Sequence, residues 1–133
     1  MDSGAFIARA VTNDKYHDAA TATFQAISRR ELPFRLQYTS NYVVDEAVTL
    51  ILYQAGPRLG VDTLHRIRAS PSLRVLHVTP EVEAEADRVF GRFAPSRVSY
   101  TDCTTKVLMD RESIGVAFSF DRDLEVLGFR RIP

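Results

Sequence analysis

The run Gly-Val-Ala-Phe-Ser-Phe at positions 115–120 narrows what this chain can become more than any other stretch. It carries no charge and opens directly onto Asp121-Arg122-Asp123. A half-exposed strand alternates polar and apolar residues; a continuously apolar one is covered on both faces. Other short runs read as strands too: "RLQYTS" (35–40), "LRVLHV" (73–78, bracketed by Pro71 and Pro80) and "FRRI" (129–132). Between them lie longer stretches with helical spacing. These are 5–11, 15–30 (Tyr16, Ala20, Phe24 and Ile27 on one face), 41–56 and 58–70. Further on come 80–93, with proline and acids in its first turn, and 99–113, with Ser99 or Thr101 as cap. Asn41 stands near the start of 41–56, and Gly56–Pro57 stops it. Strands alternating with helices predict an α/β fold: a mostly parallel central sheet with helices on both faces. In such sheets ligands bind beyond the carboxyl ends of the strands.

The length, 133 residues, fits one domain spanning 1–133. Net charge is zero at a pI near 6.8, which argues against a surface coated in positive charge for nonspecific nucleic-acid binding. The bases are nearly all arginine, with only Lys15 and Lys106 as lysines, and arginine suits phosphate. The longest apolar candidate, "AVTLILY", falls short of the ~18–20 residues that cross a bilayer, so no membrane association is expected. A single cysteine, Cys103, excludes an internal disulfide and fits a reducing cytoplasm. No basic leader precedes an apolar run at the N-terminus.

The chemistry sits in the acids. Asp121 follows the apolar strand immediately, at the binding edge; a turn or cap role is its structural alternative. Asp102 lies in the first turn of its helix, where an acid also favours the helix dipole. Asp45 and Glu46 sit side by side in a helix apolar almost all round, which should be buried; an arginine partner is the alternative there. Asp2 stands where a strand would end, although no strand precedes it. Carboxylates crowded at one sheet edge repel and raise one another's pKa unless a divalent cation lies between them. Mg²⁺ and Mn²⁺ prefer oxygen ligands, and such a cluster suits phosphodiester hydrolysis.

In this light the chain resembles the PIN-domain family, and within it the VapC-type toxins of bacterial and archaeal toxin–antitoxin pairs. The resemblance rests on "DSGAFIA", "DKYHDAA", "TSNYVVDEA", "SYTDCTTKVLM" and "FSFDRDLEVLGFRRI", in that order along nearly the whole chain. It implies Asp2, Glu46 (in preference to Asp45), Asp102 and Asp121 as the catalytic, metal-binding acids, with Asp123 as an auxiliary or substitute ligand. It also implies a Mg²⁺- or Mn²⁺-dependent endoribonuclease cutting single-stranded or loop RNA, leaving a 5′-phosphate and a 3′-hydroxyl. Thr101, Ser119 and Asn41 are candidates to orient acids or phosphate, beside ordinary capping roles. Arg9, Arg58, Arg66, Arg68 and Arg97 are candidate phosphate contacts, beside solvent-exposed or salt-bridged ones. An antitoxin protein that blocks the acidic groove and a homodimer are implied as partners.

The chain departs from the family at its start, where the strand before the first acid is truncated. Either the true start lies further upstream, which is the preferred expectation, or the fold keeps a very short first strand and anchors Asp2 poorly. A non-catalytic PIN module for binding or assembly, and a housekeeping RNA-processing nuclease, are the rival readings.

Overall fold

The starts of four helices in this chain are set by side chains that accept free backbone N–H groups. The computed structural model describes Met1–Pro133. In chain order the elements are α1 (Ser3–Ala10), α2 (His17–Ser28), β1 (Gln37–Ser40), α3 (Asn41–Ala55), α4 (Pro57–Ala69) and β2 (Leu73–Leu76). Next come α5 (Pro80–Phe93), a 3₁₀ turn (Ala94–Ser96), α6 (Tyr100–Arg111), β3 (Val116–Phe118), α7 (Asp123–Val126) and β4 (Arg130–Ile132). Thr79 caps α5, Ser99 caps α6 and Ser40 caps α3, each hydroxyl accepting an N–H from the first turn. Ser40, rather than Asn41, therefore starts α3, and Asn41 instead accepts the Val78 N–H at 2.8 Å, tying α3 to the end of β2. Gly56 joins α3 to α4 at φ 95°, a conformation that favours glycine.

Both strand pairs are parallel: β1 with β2, and β3 with β4. The expected single sheet is interrupted between β1 and β3. What bridges them is the segment Met1–Asp2. The Met1 amino group donates to the Tyr38 carbonyl at 2.7 Å, Thr39 Oγ1 donates to the Met1 carbonyl at 3.0 Å, and the Asp2 N–H donates to the Phe118 carbonyl at 3.1 Å. Two residues complete only one level of pairing. A largely apolar cavity of about 270 Å³, lined also by Met1, lies between Gln37–Ser40 and Gly115–Phe118.

Helices cover both faces, as the pattern predicts. Leu73 and Val75 of β2 pack toward α1, α3 and α4, while Leu76 packs with α5 and α6. In β3, Ala117 joins the α5–α6 core and Phe118 packs with Ala5 and Ile27 of α1 and α2. Helix α3 is buried along one face only (Val43, Val44, Ala47, Ile51); Leu50, Leu52 and Tyr53 are exposed. The all-round apolar sequence overstated its burial. No helix is long and apolar enough to cross a membrane.

Candidate active site

The carboxyl ends of β1 and β3, and the starts of α1, α6 and α7, bring the predicted acids to one edge of the fold. Asp2 is the N-cap of α1 and is buried, only 8% exposed. Its Oδ1 accepts the Ser3 N–H at 2.6 Å, and its Oδ2 accepts the Ser119 hydroxyl at 2.7 Å. Ser119, fully buried just past β3, also accepts the Asp121 N–H at 3.0 Å. One hydroxyl thus ties the acid at the start of the chain to the loop that carries the last two acids. Arg131 holds that hydroxyl's backbone from behind, donating to the Ser119 carbonyl at 3.2 Å while its Nε bonds Glu125 at 3.1 Å.

Asp102 lies in the first turn of α6 and shares a reciprocal cap with Ser99. The Asp102 N–H donates to Ser99 Oγ at 3.1 Å, and Ser99 Oγ donates to Asp102 Oδ2 at 2.5 Å. Burial pushes its carboxyl up to about 6; the Ser99 bond works against this, and the charges of Asp2, Asp123 and Glu46 add to it. Four of the predicted acids therefore share one electrostatic neighbourhood. Burial also raises the Asp123 carboxyl, helped by Asp121 and Asp2. Asp121 is exposed, and its Oδ1 accepts the Asp123 N–H at 3.1 Å. Of the two loop acids, Asp123, expected as an auxiliary, is the one whose charge adds to the rise of the Asp102 carboxyl. On α3 the neighbouring acids differ in burial, Asp45 exposed and Glu46 half-buried, and both line an open groove with Tyr42, Thr49, Leu50 and Thr101.

The remaining candidates fall elsewhere. Arg9, Arg58, Arg66, Arg68 and Arg97 are exposed, and none forms an ion pair. Arg9 and Arg66 line a cleft beside Gln37 and Leu73, the first residues of β1 and β2, at the opposite end of the strands from the acids. Reading residues one at a time missed the Ser99 bond to the Asp102 carboxylate and the role of Arg131.

No protein-family model matches the chain. The 23S rRNA-specific endonuclease VapC20 of Mycobacterium tuberculosis, from strains CDC 1551 / Oshkosh and ATCC 25618 / H37Rv, is 35% identical over 91 residues, 68% of this chain and 69% of that protein. The crystal structure of Mycobacterium tuberculosis VapC20, a sarcin–ricin loop cleaving toxin, superposes with a TM-score of 0.86 at 29% identity, over 96% of this chain and 93% of that one. The chain belongs to the VapC-type toxins of the PIN-domain family.

VapC-type toxins are RNA endonucleases, and this VapC-type edge is built from hard oxygen donors. No three of its acidic, histidine or cysteine side chains converge as a ready-made ligand group. They do lie within each other's electrostatic range: Asp2, Asp123 and Glu46 each add to the rise that burial gives the Asp102 carboxyl. A Mg²⁺-type ion keeps several waters, so not every acid has to touch it. By donor type and mutual repulsion the residues fit a divalent cation.

Proposed function

We propose that this chain is a metal-dependent endoribonuclease of a toxin–antitoxin pair that cuts a structured loop of ribosomal RNA, the target class named for VapC20. The supporting observation is the Asp102 carboxyl, half-buried and faced by three other acids with no basic side chain bonded to it. Asp2, Glu46, Asp102 and Asp123 would hold Mg²⁺ or Mn²⁺, with Asp121 at the solvent side. When bound, such an ion supplies charge neutralisation at the phosphate and lowers the pKa of a water. The chain's own residues do the positioning. Ser119 fixes Asp2 and the 121–123 loop relative to one another. Ser99 holds Asp102 by its Oδ2 and so limits which way the carboxylate turns. Glu46 and Thr101 flank the groove from which RNA reaches the acids.

In this reading the antitoxin covers the acidic groove and brings a basic side chain to it, the protein acts as a homodimer, and both work in the cytoplasm, where ribosomal RNA is found. The test is incubation with a hairpin carrying the 23S rRNA sarcin–ricin loop, in Mg²⁺, in Mn²⁺ and in EDTA. The expected result is a single cut that needs the cation and vanishes in Asp102→Asn. Equal cutting in EDTA, or by Asp102→Asn, overturns the metal reading. No cutting of this hairpin or of total rRNA by the folded protein favours a binding module instead.

A further inference from the structure

Beside the acids stands a set of rings that the chemistry so far leaves unused. Phe120 lies between Ser119 and Asp121, and it is half-exposed. Tyr16 stacks on it with ring centroids 4.6 Å apart and planes 8° from parallel. Beneath, Phe120 meets the edge of Phe118 at 5.9 Å, and Phe118 packs on Phe24 at 5.1 Å, so the outer pair is seated on the core. Tyr16 is 37% exposed, and over its ring sits the Lys15 ammonium, 4.6 Å from the centroid.

Tyr16 is held firmly for an exposed side chain. The Asp14 carboxylate accepts its N–H at 2.7 Å, and the next residue, His17, bonds the Ala8 carbonyl through Nδ1 at 2.8 Å. Tyr16 and Phe120 are fixed in place, Phe120 next to Asp121 in the chain and seated on the core by one side, with both rings partly open to solvent. Nucleobases stack on such rings, and a lysine over the ring is a natural phosphate contact once a base takes its place. Unlike the acids around it, Lys15 brings positive charge to this rim, and it forms no salt bridge.

We propose that Tyr16, backed by Phe120, is a stacking platform for one unpaired nucleobase beside the scissile phosphate, with Lys15 contacting the adjoining backbone phosphate. The proposal rests on the endoribonuclease reading and adds to it the residues that seat the RNA. The platform prefers a flipped-out base over a paired one, because only an unstacked base offers a free face. It therefore favours loops over stems.

The experiment measures kcat and KM on the 23S sarcin–ricin hairpin for the parent protein, Tyr16→Phe and Tyr16→Leu. The same hairpins are then tested with an abasic site at each loop position in turn. Leucine keeps Phe120 covered but removes the aromatic face, and a thermal melt checks that the fold is intact. Tyr16→Phe should cut like the parent. Tyr16→Leu should lose about tenfold in kcat/KM, mainly through KM. One abasic position next to the cut should cost the parent a similar factor and cost Tyr16→Leu nothing more. Lys15→Ala should weaken binding evenly across sequences and reduce the salt dependence by about one phosphate contact. Parent-like cutting by folded Tyr16→Leu, or equal abasic penalties in both proteins, overturns the platform while leaving the nuclease reading in place. A parent that cuts no RNA overturns both.

Discussion

Asp2 and Asp102 are both carboxylates at helix starts, both out of bulk water, yet the fold treats them differently. Asp2 is the more deeply buried of the two, and the protein supplies its solvation: Ser3 on one oxygen and Ser119 on the other. Asp102 receives one hydroxyl from Ser99; burial above all, and then the charges of Asp2, Asp123 and Glu46, push its carboxyl up to about 6. A buried carboxylate bonded on both oxygens is held in place without its charge being neutralised. One pushed up by burial and by neighbouring carboxylates is relieved by a proton or by a cation. The comparison separates the acid whose position the fold fixes from the acid whose charge the fold leaves unbalanced.

The largest expected effect breaks the pair apart. Asp102→Asn should lower RNA cleavage more than about a hundredfold, since changing even the partners of metal ligands costs 10–100-fold. The same change should raise the thermal midpoint in metal-free buffer at pH 7, because it removes a repelled charge. If activity and midpoint fall together, Asp102 is as structural as Asp2. Next in size, Asp2→Ala should destabilise the protein by about 1–3 kcal/mol in urea denaturation, because the Ser119 hydroxyl loses its acceptor in a fully buried position and α1 loses its cap. An unchanged urea midpoint contradicts that role.

The smallest effect concerns pH. The folded-state carboxyl of Asp102 titrates near 6 against an ordinary 3.8, so between these values the native state binds more protons than the unfolded chain. Stability conferred by the protonated form is therefore present at low pH and lost as pH rises from about 4 to about 6. In EDTA, the stability difference between Asp102→Asn and the parent should widen across that window in favour of the variant. A constant difference means that Asp102 is not under the charge pressure described.

Local pattern made much of this legible. Pro80 with its acids marked α5 to the residue, because proline and the first-turn acids act within the helix itself. The acids at strand ends and helix starts, and the pairing of Asp102 with a helix start, followed from position; the preference for Glu46 over Asp45 came from the resemblance alone. What stayed hidden depends on distance along the chain. The Ser119–Asp2 bond joins residues 117 apart, and no periodicity carries that information. Which of Asp121 and Asp123 acts more strongly on Asp102 depends on how the loop after β3 turns, and the two are the same residue type. Helix α3 misled for a similar reason: its apolar residues outnumber the neighbours available to cover them, which leaves Leu50, Leu52 and Tyr53 exposed. The break between β1 and β3 was legible in the truncated strand before Asp2; the bonds by which Met1 and Asp2 reach Tyr38, Thr39 and Phe118 were not.

The central claim is that Asp102 and its neighbours form a divalent-cation site, and Mn²⁺ binding measured by titration calorimetry at pH 7.5 addresses it most directly. The parent should bind Mn²⁺ saturably, with release of protons that grows as the pH is lowered toward 6. Asp102→Asn should bind at least about tenfold more weakly, in line with the loss of a ligand. No saturable binding by the folded parent, or equal binding by Asp102→Asn, would contradict the account.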